Sequence, residues 1–419
     1  MSNAERAQLL VVSPTFPYPP VSGGKQRIYF ILSELAREHD ITLLTLAEPG
    51  DACAKSAHAL SFLARVITVP ISQQRWQQLC RFVTNAPRWL LGTPAEVLVK
   101  RSPKLLCALK RLLATGEFDA VQLEYSQFIS LLDPAVCNAL PTIVVAHDVS
   151  FVSQQRKAHY SVGIMRWFWQ REARLMERFE VKGWRKATRV IAMSQLDRKH
   201  ILERVPRACV DVIPNGVDVQ ALYKFPKSYK PTLVFVGWMR HLPNKDAIAW
   251  FLRDIWPDIR AGNDSVRFLI VGAGLNSRLR SLFHTDNRVD YLGLVDDVGP
   301  VVGSAWISVA PIRIGSGSRL KILQSMALGT PVVSTRVGCE GIAVEPDRHI
   351  LIEDRPASFA RVVIDLLNAP AKRRKQAIEA RCLVEAKYAW RQIGILARAS
   401  LVDVCKTRRQ ARPPSAEPD

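Results

Sequence analysis

The sequence predicts an α/β protein made of two parallel-sheet domains facing one another across a cleft, and three observations lead there. Short apolar runs alternate with segments whose apolar residues recur at helical spacing. The alternation stops at YKFPKSYKP (223–231), a short polar stretch with two prolines, and then starts again. In both halves glycines follow a strand and precede a helix, the place where open parallel sheets bind ligands. The expected layout is a first domain over 1–222, a linker at 223–230, a second domain over 231–385, a final helix at 386–406 and a disordered basic tail at 407–419.

LLVVS (9–13) is the first strand, and the PTFPYPPVSGG after it holds too much Pro and Gly for helix or central strand. From Lys25 a helix pattern carries Ile28, Ile31, Leu32 and Leu35, ending near His39 before a strand at 41–46. Gly23 and Gly24 thus sit where free N–H groups of a helix start lie beyond a strand end; they fit either a ligand loop or a tight turn. A strand is expected at 64–70. Residues 72–111 are mostly helical, with breaks at Pro87, Pro94 and Pro103. Trp76, Leu79, Cys80 and Val83 share a helical face there, with Arg75, Arg81, Arg88, Lys100 and Arg101 around it. The pattern fits a surface lying on anionic lipid or plain core packing with a solvated face.

FDAVQL (118–123) and TIVVA (142–146) are further buried strands, and the second delivers His147 and Asp148 just past its carboxyl end. A histidine there can serve as acid, base or donor at neutral pH; loop hydrogen bonding is the alternative use. One long helix, or two, is expected over 163–189, where Trp167, Phe168, Trp169 and Trp184 lie among arginines. Such interleaving can stack bases, but packing plus a basic face accounts for it with less. Strands at 190–193 and 209–213 close the first series.

The second series reads strand 232–236, loop 237–244, helix 245–255, strand 266–271, Gly272–Ala273–Gly274, helix 275–283, strand 289–291 and a short helix capped by Asp296 or Asp297. The GAG turn lacks the third spaced glycine of a dinucleotide fingerprint, and no acidic residue closes the following strand as that fingerprint needs, which argues against hydride transfer. ISVAPIRIGSGSRLKILQSMALGTPVVS (307–334) organises this half. It is a strand to Ala310, a loop with Gly315, Ser316, Gly317 and Ser318, a helix from about Arg319 to Leu328, and a stop at Gly329 and Pro331 before another strand. Leu320, Leu323 and Ala327 form the buried stripe, while Lys321 and Gln324 lie elsewhere on the helix. Free N–H groups behind flexible glycines can bind phosphate, with Arg319 and Lys321 as partners for its charge; an ordinary loop capped by Ser318 is the alternative. The tail adds a helix through Phe359, Val363, Leu366 and Leu367, a basic patch at Lys372–Lys375, and a helical run through Trp390 and Leu401.

A chain of 419 residues with 48% hydrophobic composition can bury two cores. Its eight cysteines are scattered with no CxxC pair, which suits reduced thiols in a cytoplasmic protein. No targeting segment is apparent, and the longest uncharged run, 7–24, is broken by prolines and glycines and cannot span a bilayer as a regular helix. The formal charge of +20 is concentrated in three windows, 72–111 (+7), 151–210 (+9) and 370–412 (+9). A localised positive field attracts nucleic acid, anionic lipid or a phosphorylated substrate.

PYPPVSGGKQR (17–27), AHD (146–148), IPNGVD (213–218), FVGWMRHLPNKDAIAWF (235–251), LIVGAG (269–274), VDYLG (289–293) and APIRIGSGSRLKILQSMALGTPVVST (310–335) occur in an order and spacing that identify a family. The chain resembles the retaining glycosyltransferases of the GT-B fold, in the family-four grouping (glycosyl transferases group 1) that includes bacterial exopolysaccharide sugar transferases. The likeness extends over nearly all of 9–400. It implies two Rossmann-like domains, a nucleotide-sugar donor held mainly by the second, a saccharide or lipid-linked acceptor held mainly by the first, and a last helix that crosses back to the first. It carries Gly23 and Gly24 to the donor diphosphate, His147 to the transferring sugar, and Gly315, Ser316, Gly317, Ser318 and Arg319 to sugar and phosphates. Gly237, Gly272 and Gly274 fall in the donor-side loops.

The resemblance also implies that the leaving phosphate helps deprotonate the acceptor, so a glycosidase-like carboxylate pair is not required. With no Asp-x-Asp in the chain, metal-independent transfer is expected, without a cofactor beyond the donor co-substrate. Two departures stand out. Ser316 and Gln324 occupy the positions where the family usually has glutamates, and Trp238 follows Gly237 where an Arg is usual, which leaves Arg240, Lys245 and Arg319 as the phosphate-neutralising set. The positive first-domain surface suggests an acceptor that is anionic or at a membrane, and peripheral contact with anionic lipid on the cytoplasmic face. Two competing readings remain: a basic nucleic-acid-binding protein, which would lack any zinc, RRM-like or KH-like signature, and a GT-B scaffold with activity weakened at Gln324 and Trp238.

Overall fold

The computed structural model describes residues 6–51, 54–71, 85–132, 136–137, 140–219 and 225–411. The chain forms two compact units, Met1–Pro214 with Ile393–Asp419, and Asn215–Gln392.

The first unit holds strands β1 (Gln8–Ser13), β2 (Asp40–Ala47), β3 (Arg65–Pro70), β4 (Ala120–Glu124), β5 (Thr142–Ala146), β6 (Arg189–Ala192) and β7 (Val210–Val212). They form one sheet in the order β3-β2-β1-β4-β5-β6-β7, every neighbouring pair parallel. Its described helices include α1 (Gly23–Leu35), α2 (Ala54–Ala59), α3 (Ala95–Lys100), α4 (Pro103–Leu113), α5 (Ser150–His159), α6 (Gly163–Trp184) and α7 (Gln195–Arg204). Helices on both faces bury the central strands, which is why apolar residues dominate them: Leu9, Leu10, Val11, Val12, Val121, Leu123 and Val144 are all inaccessible to solvent. The apolar face read at 76–83 lies outside the described residues.

The second unit holds β8 (Thr232–Val236), β9 (Arg267–Val271), β10 (Val289–Gly293), β11 (Ile307–Ala310), β12 (Val332–Ser334) and β13 (Leu351–Ile352). Their order is β10-β9-β8-β11-β12-β13, again parallel throughout. Its helices are α8 (Leu242–Trp250), continued by a π-helical stretch Phe251–Ile255 into α9 (Trp256–Gly262), then α10 (Ser277–Arg280), α11 (Gly299–Ser304), α12 (Leu320–Ala327), α13 (Pro356–Asn368) and α14 (Pro370–Lys387). The last helix, α15 (Trp390–Ala411), contributes Ile393 onward to the first unit, where Arg398 Nη1 donates to Glu34 Oε2 at 3.0 Å and Ser400 Oγ to Asp211 Oδ2 at 2.6 Å.

Several boundaries differ from the sequence expectation. The units divide at Pro214/Asn215 instead of at 222, because Val217 pairs with Ala389 and its N–H donates to Tyr388 O at 2.8 Å, while Trp390 packs on Gly216. The described part of the expected linker is bolted to the second unit: Lys227 Nζ donates to the carbonyls of Gly303, Ala305 and Gly329, and Phe225 fills the space beside Gly303. The last helix starts at Trp390 and runs to Ala411, since nothing before Pro413 breaks it; only 412–419 of the expected disordered tail lie outside the described residues. α10 is four residues long, capped by Asn276, where a helix over 275–283 was expected. Gly23 and Gly24 form the first turn of α1 instead of a turn ahead of it, because Ser22 is already in the extended conformation that precedes a helix.

Candidate active site

Each sheet reverses its winding once, between β1 and β4 in the first unit and between β8 and β11 in the second. At such a switch point the loops leaving the carboxyl ends of two neighbouring strands turn to opposite faces and leave a crevice for ligand. The sequence-derived candidates cluster at these two points.

In the first unit, β1 leads through a loop to Gly23 and Gly24 at the start of α1, and β4 ends at Glu124, followed by Tyr125. Tyr125 has φ +71°, an uncommon conformation for a side-chain-bearing residue, and it turns its ring flat against His147, with centroids 3.7 Å apart and planes 6° apart. Its hydroxyl fills the space a side chain on Gly24 would need: a Cβ there would lie 1.8 Å from Tyr125 Oη. Gly24 and His147 are thus joined through a tyrosine.

His147 Nε2 lies 2.6 Å from Glu124 Oε2, and Gln122 Nε2 donates to Glu124 Oε1 at 2.6 Å. Burial opposes ionisation of Glu124, but the hydrogen bonds from His147 and Gln122 and the field of Arg27 outweigh it and hold the carboxyl below its usual range. Burial pushes the His147 imidazole below its ordinary value, with Glu124 pulling the other way. The consistent state is a carboxylate accepting from a neutral imidazole, which orients the ring and leaves Nδ1 as an acceptor. Arg27, 3% exposed, donates to Pro214 O at 2.8 Å, and burial lowers it to about 10. Asp148 turns to the next helix, where Oδ1 accepts from Ser150 Oγ at 3.1 Å. The start of that helix is held by Glu180, which accepts from the N–H groups of Ser150 and Phe151, both at 3.2 Å.

In the second unit three loops meet. Gly237 N donates to Val271 O at 2.9 Å, Met239 N to Ala273 O at 2.8 Å, and Gly272 N to Gly293 O at 2.7 Å. Gly272 has φ +126°, and a Cβ on it would lie 2.0 Å from Gly237 O, so no other residue fits. Gly274 backs on the Arg240 side chain, and Gly237 on Asn244. Asn244 ties the loops to α12: its Nδ2 donates to Trp238 O at 2.9 Å and its Oδ1 accepts from Lys321 Nζ at 2.8 Å. Lys321 therefore points inward, its ammonium 4.3 Å from the centre of the Phe235 ring; burial, with Arg319 nearby, lowers it to about 7.

Arg319 precedes α12 and folds its guanidinium over its own loop, donating to the carbonyls of Ser316 and Gly317. Gly315 lies against that guanidinium and against Pro243. Ser318 does not cap the helix; its hydroxyl accepts from Asn215 Nδ2 at 2.9 Å. Arg240 is exposed, Lys245 sits half-buried in the first turn of α8, and Gln324 half-buried on α12. The second unit so brings together Gly237, Arg240, Gly272, Gly274, Gly315, Ser316, Gly317 and Arg319. Among the described residues, no three His, Cys, Asp or Glu side chains are grouped to hold a metal ion.

Sequence reasoning passed over Arg27, Glu124, Tyr125 and Asn244. Glu124 carried a signal, a lone carboxylate closing a buried apolar strand. Tyr125 carried none, because its role comes from a backbone turn that the sequence does not announce.

Comparison with known proteins agrees with this geometry. Residues 21–221 match the family Glycosyltransferase Family 4, and residues 230–369 match Glycosyl transferases group 1. An uncharacterized 44.6 kDa protein of the cps region of Klebsiella pneumoniae is 21% identical over 398 residues, 91% of this chain and 96% of that one. A GDP-mannose-dependent monoacylated alpha-(1-6)-phosphatidylinositol monomannoside mannosyltransferase of Corynebacterium glutamicum is 27% identical over 149 residues, 33% of this chain and 39% of that one. Among solved structures, sucrose-phosphate synthase from Thermosynechococcus elongatus superposes with a TM-score of 0.72 at 17% identity, covering 97% of this chain and 100% of that one. Anabaena Alr3699/HepE, solved with UDP and glucose, gives 0.66 at 14% identity, covering 96% and 100%. At those identities the structural likeness speaks for the fold, while the two family matches span most of the sequence. The chain is a GT-B fold glycosyltransferase, built of two Rossmann-like units and related to the family-four and group-1 glycosyltransferases.

Proposed function

We propose that the enzyme is a retaining, metal-independent transferase that moves a hexose from a nucleotide-sugar to a saccharide or lipid-linked acceptor in cell-surface polysaccharide synthesis. The observation that carries this is the meeting of three glycine-bearing loops with Arg240, Arg319 and Lys321 at the switch point of the second sheet. Backbone dipoles and cations in one crevice suit a nucleoside diphosphate, whose departure leaves charge that fixed dipoles stabilise without reorganising. Positive charge from side chains and backbone does the work a metal would otherwise do. Arg319 has two duties, shaping the Gly315–Ser318 loop through its carbonyls and lending its charge to the phosphates; Arg240 and Lys245 complete the set.

In the first unit His147, oriented by Glu124, is the group that meets the transferring sugar, and Gly23 and Gly24 bring N–H groups to the diphosphate. Proteins similar to this one use GDP-mannose or were solved with UDP and glucose, which supports a nucleoside-diphosphate donor. The cps-region relative supports a polysaccharide setting, and we place the work at the cytoplasmic face of the inner membrane. A screen of GDP-, UDP- and ADP-sugars for saturable binding and slow hydrolysis tests the proposal. One donor is expected to saturate, and Arg319→Ala should lower turnover at saturating donor; no binding and no hydrolysis by any donor would favour an inactive scaffold.

A further inference from the structure

Helices α5 and α6 form a hairpin whose tip, 160–167, is apolar and projects into solvent. Val162 is 84% exposed, Ile164 75% and Trp167 54%, with Tyr160 and Met165 also exposed. A second segment lies beside it: Trp89 contacts the rings of Trp167 and Phe168, Arg171 Nη2 donates to Trp89 O at 2.9 Å, and Leu90 and Leu91 are left exposed. Single exposed apolar residues are ordinary, but seven large ones on two adjoining segments are not.

Charge says what covers them. Between 155 and 171 the basic residues are Arg156, Lys157, His159, Arg166 and Arg171, and between 85 and 95 only Arg88; neither stretch contains an Asp or Glu. The flanking acids are both engaged by the protein: Glu172 is 1% exposed and accepts from Ala95 N at 2.9 Å, and Glu96 accepts from Gln127 Nε2 at 2.7 Å and lies 3.9 Å from Lys100. Beside the tip, Arg156 and His159 line an open groove with His200 and Arg204. Protruding aliphatic side chains, a tryptophan at their edge and a predominantly cationic collar, in which Arg204 and His200 of the groove are paired with acids (Glu177 and Glu203), match the layers of an anionic bilayer surface: acyl chains for Val162, Ile164 and Leu91, interface for Trp167, phosphates for the arginines. A protein partner of mixed charge would be met by both signs.

We propose that the α5–α6 hairpin tip, with Leu90 and Leu91, is a membrane-docking surface that inserts into bilayers rich in anionic phospholipid. It does not depend on which sugar is transferred, so its test stands apart from catalysis.

The full-length protein is to be sedimented with phosphatidylcholine vesicles, with or without phosphatidylglycerol, across a salt series. Binding is expected only with phosphatidylglycerol and should weaken as salt rises. The exposed pair Val162→Asp/Ile164→Asp should lower vesicle affinity about tenfold or more, because charges replace the inserting groups. Arg166→Glu should weaken binding and flatten its salt dependence, and the melting temperatures of all three proteins should agree. Equal partitioning onto both vesicle types would overturn the proposal. So would undiminished binding by the double variant, which would place the contact on another basic surface, or a double variant that only converts a dimer to a monomer in sedimentation velocity.

Discussion

Gly24→Ala should destabilise the first unit, and the reason lies in a single contact. Alanine normally improves a helical position held by glycine, by up to about 1 kcal/mol, and Gly24 lies in the first turn of α1 with no unusual φ. The new methyl would meet Tyr125 Oη at 1.8 Å, so the hydroxyl must retreat by about 1.2 Å merely to reach 3.0 Å. Tyr125 is poorly placed to retreat, with its ring flat on His147 at 3.7 Å and its backbone at φ +71°. Overpacking of this kind costs about 1–3 kcal/mol, and setting the middle of that range against a gain of about 1 kcal/mol in helix propensity leaves a net loss of ~1 kcal/mol. In a unit of this size that is a fall of about 2–4 °C in melting temperature, measurable by calorimetry on the intact chain. Tyr125→Phe removes the offending oxygen and leaves Cζ at 3.2 Å, a distance that a few tenths of an ångström would relax. The double variant should therefore melt close to Tyr125→Phe alone. A Gly24→Ala protein as stable as the parent, or one that Tyr125→Phe fails to rescue, would refute this account of the glycine. Donor binding by the rescued double variant then asks a separate question: whether Gly24 is also needed for the diphosphate.

Two further outcomes concern protonation. Burial, with Asp148 adding to it, raises Glu180 to about 8, so between the unfolded carboxyl value near 4.3 and about 8 the folded protein keeps a proton that the unfolded chain has released. Stability should fall as pH rises through that window, with a slope of up to about 1.4 kcal/mol per pH unit. Glu180→Gln should flatten it; parallel denaturation curves from pH 5 to pH 8 would remove Glu180 as the source. Lys321, lowered to about 7 mainly by burial, is largely neutral at pH 8 in the folded enzyme, and an arriving diphosphate should raise it and draw in a proton. Calorimetric titration of nucleoside diphosphate in two buffers of different ionisation enthalpy should show that uptake, and Lys321→Met should lose it. Binding without proton uptake in the parent would put Lys321 outside the diphosphate's reach.

The sheets were legible because parallel strands buried on both faces are dominated by apolar residues, and β1, β5, β8 and β9 each carry a run of at least three of them. The glycines at 237, 272, 274, 315 and 317 were legible as tight loops because they recur between a strand and the helix after it. What escaped depends on partners distant in sequence. Val217 looks like part of the first series until it pairs with Ala389, and that pairing moves the unit boundary to Pro214. Lys321 looks like a surface lysine until Asn244 and Phe235 enclose it. Helical spacing says which residues share a face; it does not say that a lysine on the polar side meets an amide brought in by α8.

The two switch points show how much a glycine can say alone. Gly272 is required by another backbone, the carbonyl of Gly237 at 2.0 Å from where a Cβ would sit, and this contact exists before any ligand arrives. Gly24 is required by Tyr125 Oη. Gly315 and Gly317, at φ +115° and +75°, are required by the turn that Arg319 closes through the carbonyls of Ser316 and Gly317. A glycine-rich sequence thus predicts a close approach without naming what approaches, and in each of these loops part of the answer is the protein itself. A ligand at either switch point would meet backbone dipoles and side chains gathered at the carboxyl ends of strands beside a reversal in winding. The cations among them are more numerous in the second unit, where Arg240, Arg319 and Lys321 join the loops, than in the first, where tyrosine, histidine and glutamate pack on one another. The asymmetry suits the proposed division of labour, in which the second unit would hold the charged donor and the first would present one oriented imidazole.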